Sequence, residues 1–289
     1  MLLGLFLLLL LDYLAERWEF LDIHSAHGPA PLRGLGLLIL LMIVLPLATR
    51  EVATLFAAEK VQPYGSIAMF GSGSLVLHAF LTQFAGFKPI ATSTLAFIIV
   101  GVMLLAALRR ALYRQTSEAI HHMAGTVLAT LYLGGLGWFL MALRVKQSPH
   151  FTGTTMVILM ILLVVKFTDI GAYFGGRALG RHKLISWLSP GKTWEGLLVG
   201  VLVAGAIGAL CAPFIHGRTG FILPWWKGVI FGAVIGAIGQ LGDLLESLMK
   251  RDAEVKDSGR LVPGFGGILD IVDSPLLAAP FAYLMFSLF

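Results

Sequence analysis

Charge is scarce in this chain: 13% of its 289 residues are Asp, Glu, Lys or Arg, against 57% hydrophobic. That balance excludes an ordinary soluble domain, because several apolar runs reach the roughly 20 residues a helix needs to cross a bilayer core. Cysteine is nearly absent. The single Cys211 excludes a disulfide framework and a thiolate metal site, and it lies in an apolar run as a small buried or lipid-facing side chain. No polar stretch long enough for a soluble domain separates the apolar runs. The alternation of a barrel strand is missing too. Backbone groups in lipid must be satisfied within their own segment, so helices are the expected solution. The net charge of +5 comes from bases scattered through short connections, which fits membrane-loop asymmetry better than a nucleic-acid-binding face.

The pattern predicts an all-α fold, a polytopic integral membrane helical bundle of about nine transmembrane helices. Their expected positions are 1–16, 35–58, 66–84, 92–113, 119–143, 152–174, 194–216, 225–247 and 272–289. The chain 1–289 is expected to form a single membrane domain, with N-terminal spans in 1–150 and C-terminal spans in 151–289 that carry the chemistry. The opening run MLLGLFLLLLLDYLAER has no basic region ahead of it and no small-residue cleavage site, so a retained first helix is expected, cut short by Asp12. Most bases, among them Arg109, Arg110, Arg181, Lys192 and Lys250, fall in the loops after even-numbered spans. The positive-inside rule then puts the N-terminus and those loops in the cytoplasm, as expected of a multi-pass protein of the cell (inner) membrane. Connections 175–193 and 248–271 thereby share the cytoplasmic face. Gly228, Gly232 and Gly236 recur every four residues, a spacing that lets another helix backbone come close.

The scarce charge is concentrated. The stretch KRDAEVKDSGRLVPGFGGILDIVD, residues 250–273, packs acids, bases and glycines between two apolar spans. Asp243 and Glu246 stand one turn apart on one helix face, and Asp270 and Asp273 repeat that spacing at the start of the last span. Four carboxylates on two helix ends repel one another unless a cation lies among them. Oxygen ligands without His or Cys suit a hard ion such as magnesium. Ordinary interface acids paired with Lys250 or Arg251 are the competing reading. Gly264, Gly266 and Gly267 permit a loop whose amides converge on an anion, and Lys250, Arg251, Lys256 and Arg260 stand near it. In KFTDIGAYFGGRALGRHKLISWLSPGKTWEG, Lys166 and Asp169 are placed to neutralise each other. Ser189 before Pro190 reads as a helix start with amides open to an anion. SPGKT is not a Walker motif, because the GxxxxGK[ST] spacing is missing and no strand is expected before it.

The order Ser247, Lys250, Arg251, Lys256, Asp257, Gly259, Pro263, Gly264, Gly266, Gly267, Asp270, Asp273 resembles the phosphatidate cytidylyltransferase (CDP-diacylglycerol synthase) family. DIGAYFGGRALGRHKL and SPGKTWEG are similar to that family's segments in the same order, so the resemblance is specific from Lys166 to Ser274. It implies transfer of the cytidylyl group of CTP to phosphatidate, giving CDP-diacylglycerol and pyrophosphate with magnesium, with or without a second cation. It maps the family's metal-binding aspartates onto Asp243 and Asp270, with Glu246 and Asp273 supporting. Lys250, Arg251, Lys256 and Asp257 complete the catalytic set. Asp169, Arg177, Lys183, Ser189, Lys192 and Thr193 are candidates for holding CTP or the lipid phosphate, with Arg260, Gly264, Gly266 and Gly267.

Two positions depart from the family pattern: Phe265 stands where His is usual, and Ile271 where Arg is usual. They leave a catalytically degenerate paralogue as an alternative. Another is a CTP-dependent membrane lipid kinase of polyprenol or phytol type, which would release CDP rather than pyrophosphate. A transporter or scaffold would place its charges along a midplane route between matched halves, and here they gather at one face. The expected partners are CTP, phosphatidate and membrane lipid, with no nucleic acid; a homodimer is compatible.

Overall fold

The computed structural model describes residues 10, 12–14, 22–25, 28–58, 61–114, 116–146, 155–215, 222–255, 258–259 and 266–288. Its described α-helices are α1 (Leu35–Ala58), α2 (Gly65–Leu81), α3 (Ala91–Leu112), α4 (Ala119–Thr130), α5 (Leu136–Val145), α6 (Thr155–Leu179), α7 (Trp194–Cys211), α8 (Trp225–Asp252) and α9 (Leu269–Leu288). A π-helical turn, Leu131–Gly135, joins α4 to α5, so Ala119–Val145 is one continuous span. Among the described residues seven helical segments are long and apolar enough to cross a membrane, which makes this a multi-pass helical membrane protein. They match seven of the expected nine spans. The expected span at 1–16 falls mostly outside the described residues. That at 66–84 is the shorter α2, whose 17 residues rise about 26 Å, just under a core of about 30 Å.

The bundle is all-α, and two short antiparallel hairpins accompany it among the described residues: β1 (Asp22–Ser25) with β2 (Gly28–Pro31), and β3 (Lys183–Ile185) with β4 (Ser189–Thr193). The second corrects the reading of SPGKT. Ser189 pairs with Ile185 in a strand, another strand does precede the motif, and the helix starts only at Trp194. Thr193 is the N-cap, its hydroxyl accepting the Gly196 amide at 3.1 Å. Pro190 and Gly191 favour extended and turning backbone over a helical first turn, and Thr caps well, so the chain defers the helix.

The chain forms two compact units. The first comprises 1–145 and 252–269, the second 146–251 and 270–289. In the first, Leu37, Leu41, Leu45, Val52, Leu75 and Leu133 are fully buried core side chains. Helix α2 runs against α1, α3 and α5. Small residues permit the contact: a Cβ on Gly71 would meet Val102 Cγ2 at 2.6 Å, and one on Gly137 would meet Val76 Cγ2 at 3.1 Å. Asp12 does more than end an apolar run. It forms a fully buried ion pair with Arg144 at 2.6 Å and accepts the Gly36 amide at 3.2 Å.

In the second unit α6 lies flat against α7, and α7 against α8. A Cβ on Gly175 would meet Val199 Cβ at 2.5 Å, and one on Gly200 would meet Thr168 O at 2.8 Å. The expected glycine contact of α8 is present: a Cβ on Gly228 would meet Gly208 O at 2.5 Å, and one on Gly236 would meet Ala204 Cβ at 2.5 Å. Backbone-to-backbone contact at this range fixes helix register closely. It therefore fixes the side chains projecting from the polar end of α8.

Candidate metal centre

Three carboxylates of the second unit converge. Asp243 and Glu246 on α8 and Asp273 on α9 each offer an oxygen, and these oxygens lie within 4.8 Å of one another. Glu246 is 1% exposed and Asp273 3%. At an effective dielectric of about 20, like charges about 4.8 Å apart repel by about 3.5 kcal/mol, which apolar helices alone do nothing to offset. Glu246 is only half satisfied: its Oε2 accepts Lys250 Nζ at 3.0 Å, while its buried Oε1 has no hydrogen-bond partner. A buried carboxylate oxygen left without a donor, facing two more carboxylates, is the environment of a hard cation. The donor set is all oxygen and fits magnesium.

Asp270 takes a different place. Its Oδ1 is held by Lys250 Nζ at 2.7 Å, so Lys250 bridges Asp270 and Glu246. The compact group is thus Asp243, Glu246 and Asp273, with Asp270 beside it through Lys250. Sequence reasoning gave Asp243 and Asp270 the principal part.

A second cation comes from the β3–β4 hairpin. Lys192 pairs with Asp243 Oδ2 at 2.6 Å and donates to Gln240 O at 3.3 Å. Gln240, nearly buried, donates through Nε2 to Asp169 Oδ1 at 2.7 Å, and Asp169 pairs with Lys166 at 3.8 Å. The expected Lys166–Asp169 pair is therefore present, as one end of a chain of contacts leading to Asp243. Four site carboxylates against Lys250 and Lys192 leave a formal excess of two negative charges, the charge of one divalent ion.

The remaining predicted residues divide. Lys183 is exposed and donates to Pro190 O at 2.7 Å, closing the hairpin, while exposed Arg177 reaches Tyr173 Oη at 3.3 Å. Arg251 is exposed at the end of α8. Lys256, Asp257, Arg260, Gly264 and Phe265 lie outside the described residues. Gly266 has φ +89°, a left-handed conformation that a side chain would strain.

Three polar residues escaped sequence reasoning. Gln240 sits three residues before Asp243 on an otherwise apolar helix, and that spacing was the available signal. Glu195 fixes the hairpin by accepting the Arg181 and His182 amides and the His182 ring, the last at 2.6 Å. Glu51, in the first unit, is a lone acid in the apolar run of α1. It is 5% exposed and accepts the Ile268 amide at 3.0 Å, the Leu269 amide at 2.7 Å and the Ser258 hydroxyl at 3.3 Å.

A helical membrane protein with a half-satisfied, all-oxygen carboxylate cluster flanked by lysines is a framework for a divalent cation and its anionic ligands. A sequence profile described as the cytidylyltransferase family matches residues 30–289. Phosphatidate cytidylyltransferase of Brucella suis biovar 1 (strain 1330) is 41% identical over 165 residues, 57% of this chain; the chain spans 58% of that relative's length. Proteins of the same name from Synechocystis sp. (strain ATCC 27184 / PCC 6803 / Kazusa) and Bacillus subtilis (strain 168) are 31% and 32% identical. Those alignments cover 83% and 75% of this chain, and 85% and 78% of the relatives. The chain belongs to the phosphatidate cytidylyltransferase (CDP-diacylglycerol synthase) family.

Proposed function

We propose that this protein transfers the cytidylyl group of CTP to phosphatidate, giving CDP-diacylglycerol and pyrophosphate, in one membrane domain whose site faces the cytoplasm of the cell (inner) membrane. The observation that carries the reading is the carboxylate cluster with its orphaned Glu246 oxygen, in a chain of this family. Asp243, Glu246 and Asp273 would hold magnesium, with Asp270 kept beside them by Lys250. When bound, magnesium supplies electrophilic charge to the triphosphate oxygens.

The chain's own residues do the rest. A phosphatidate oxygen forms a bond to the α-phosphorus of CTP, and the bond from that phosphorus to the bridging oxygen breaks, releasing pyrophosphate. The nucleophile is a phosphate monoester already ionised near neutral pH, so no strong general base is needed. Charge stabilisation and alignment carry the barrier. Lys192 and Lys250, each fixed by a carboxylate, offer preorganised cationic donors to phosphate oxygens. Arg177, Lys183 and Arg251, exposed on the same polar end, add positive potential that draws CTP and an anionic headgroup toward it. Thr193 and Ser189 hold Lys192 in place through the cap and the hairpin. Arg260, Gly264, Gly266 and Gly267 are candidates for anion binding by residue type, since glycine amides and a guanidinium both suit a phosphate.

Purified protein given CTP labelled at the α-phosphorus, phosphatidate and magnesium should yield labelled CDP-diacylglycerol and unlabelled pyrophosphate. Labelled CDP as the product would instead identify a lipid kinase, and no consumption of CTP by folded protein would identify a degenerate paralogue. For the orientation, Arg181→Cys and Val255→Cys, both at exposed positions, in a Cys211→Ala background should resist an impermeant thiol reagent in intact cells. Labelling from outside would reverse the assignment.

A further inference from the structure

Glu51 is buried in the last third of α1, yet each of its oxygens is engaged by residues more than 200 positions away in sequence. Oε2 accepts the Leu269 amide at 2.7 Å and the Ser258 hydroxyl at 3.3 Å, and Oε1 accepts the Ile268 amide at 3.0 Å. Gly259 and Gly267 lie close against this carboxylate. A Cβ on Gly259 would meet Glu51 Oε1 at 2.5 Å, one on Gly267 would meet Glu51 Oε2 at 2.5 Å, and the backbone turns at Gly266 with φ +89°. Both glycines are thus required by the space the carboxylate occupies. One side chain thus binds Ser258 on one side and Ile268 and Leu269 on the other.

We infer that Glu51 is a positioning residue for the reaction: its carboxylate ties Ser258 to the Ile268 and Leu269 amides and caps the start of α9. The physics is that of an N-cap supplied by a distant residue. The first amides of a helix have no partner within it, and a carboxylate there satisfies them and complements the positive end of the helix dipole. Charge-assisted bonds to backbone amides hold more tightly than neutral ones, and burial among apolar side chains leaves water little access to compete. Leu269 is joined directly to Asp270, and Asp273 follows one turn later. Fixing the Ile268 and Leu269 amides therefore fixes the backbone from which both aspartates project. A purely structural acid could be replaced by any well-packed side chain, whereas this one sets where the last two site carboxylates begin.

The role in transfer rests on the cytidylyltransferase reading; the anchor does not, and one experiment separates them. Glu51→Gln keeps the shape but sets an NH2 donor against a backbone amide that also donates. Hydrogen exchange of the Ile268 and Leu269 amides should quicken by about tenfold or more, the loss expected for a charged buried acceptor. The magnesium concentration giving half-maximal transfer should rise severalfold, because the α9 carboxylates are less well placed. A protein that was merely less stable would lose active molecules without moving that midpoint. Ser258→Ala removes one long bond and should shift both readouts in the same direction by less, which serves if Glu51→Gln fails to fold. Unchanged exchange at the two amides would overturn the anchor. Faster exchange with an unmoved magnesium midpoint would overturn the positioning role. If the native chain transfers nothing, the cytidylyltransferase reading and the positioning role built on it both fall, and exchange alone still decides the anchor.

Discussion

Glu51 in the first unit and Glu246 in the second are both acids almost wholly buried in apolar helices, 5% and 1% exposed. Glu51 accepts from the Ile268 and Leu269 amides and the Ser258 hydroxyl, so both oxygens are used. Glu246 has one lysine on one oxygen, no donor on the other among the described residues, and the carboxylates of Asp243, Asp270 and Asp273 as neighbours. The contrast separates two uses of a buried charge. A carboxylate saturated by donors holds structure. One surrounded by further carboxylates is held in readiness for a cation, at a cost in stability.

The largest expected effect breaks the comparison at its reactive side. Asp243→Asn or Glu246→Gln should lower turnover by about a hundredfold or more, as befits loss of a metal ligand in a water-poor site. The thermal midpoint without magnesium should hold or rise, since a like-charge repulsion has been removed. A fall in that midpoint comparable to that of Glu51→Gln would mean the two acids do the same job. Next in size is the response to the ion. Magnesium at about a hundred times its dissociation constant should stabilise the native protein by about 2.7 kcal/mol. Chelator should remove that gain, and Asp243→Asn should not show it. Equal stabilisation of both proteins would place the ion elsewhere.

On the other side of the comparison, Gly267→Ala should destabilise the protein by about 1–3 kcal/mol, because the new methyl group would meet Ser258 Oγ first and Glu51 Oε2 at 2.5 Å. Urea unfolding of the variant measures this, and a neutral outcome would show that Glu51 moves freely. The smallest effects compare the two hairpin lysines. Lys192→Met, losing the partner of Asp243, should reduce turnover by about tenfold or more. Lys183→Met should cost about threefold or less, since that exposed side chain bonds to the Pro190 carbonyl within its own hairpin. Equal losses would make Lys183 a direct phosphate contact.

Much of the candidate centre was legible because it is local. Asp243, Glu246 and Lys250 lie at helical spacing on one span, Asp270 and Asp273 on another, and periodicity alone aligns each set. Gln240 belongs to the first set, but a neutral amide among glycines carries no charge to mark it. Glu51 was illegible for a different reason. Its partners are main-chain amides and one hydroxyl, and a backbone donor leaves no trace in residue identity. The hairpin at 183–193 was hidden because Ser-Pro is also a common way to begin a helix; only the Thr193 cap and the Glu195 contacts with Arg181 and His182 decide for a strand.

The sequence by itself determined that this chain is a multi-pass helical membrane protein, that its charge gathers at a few connections, and to which family it belongs. Those follow from run length, composition and motif order, which need no partner in space. Only the tertiary structure decided that Asp273 joins Asp243 and Glu246 while Asp270 is taken up by Lys250, and that Glu51 binds Ser258, Ile268 and Leu269. Which oxygens meet depends on the register of helices packed glycine to backbone, and shifts of a few ångströms invisible in the sequence separate a ligand from a salt bridge.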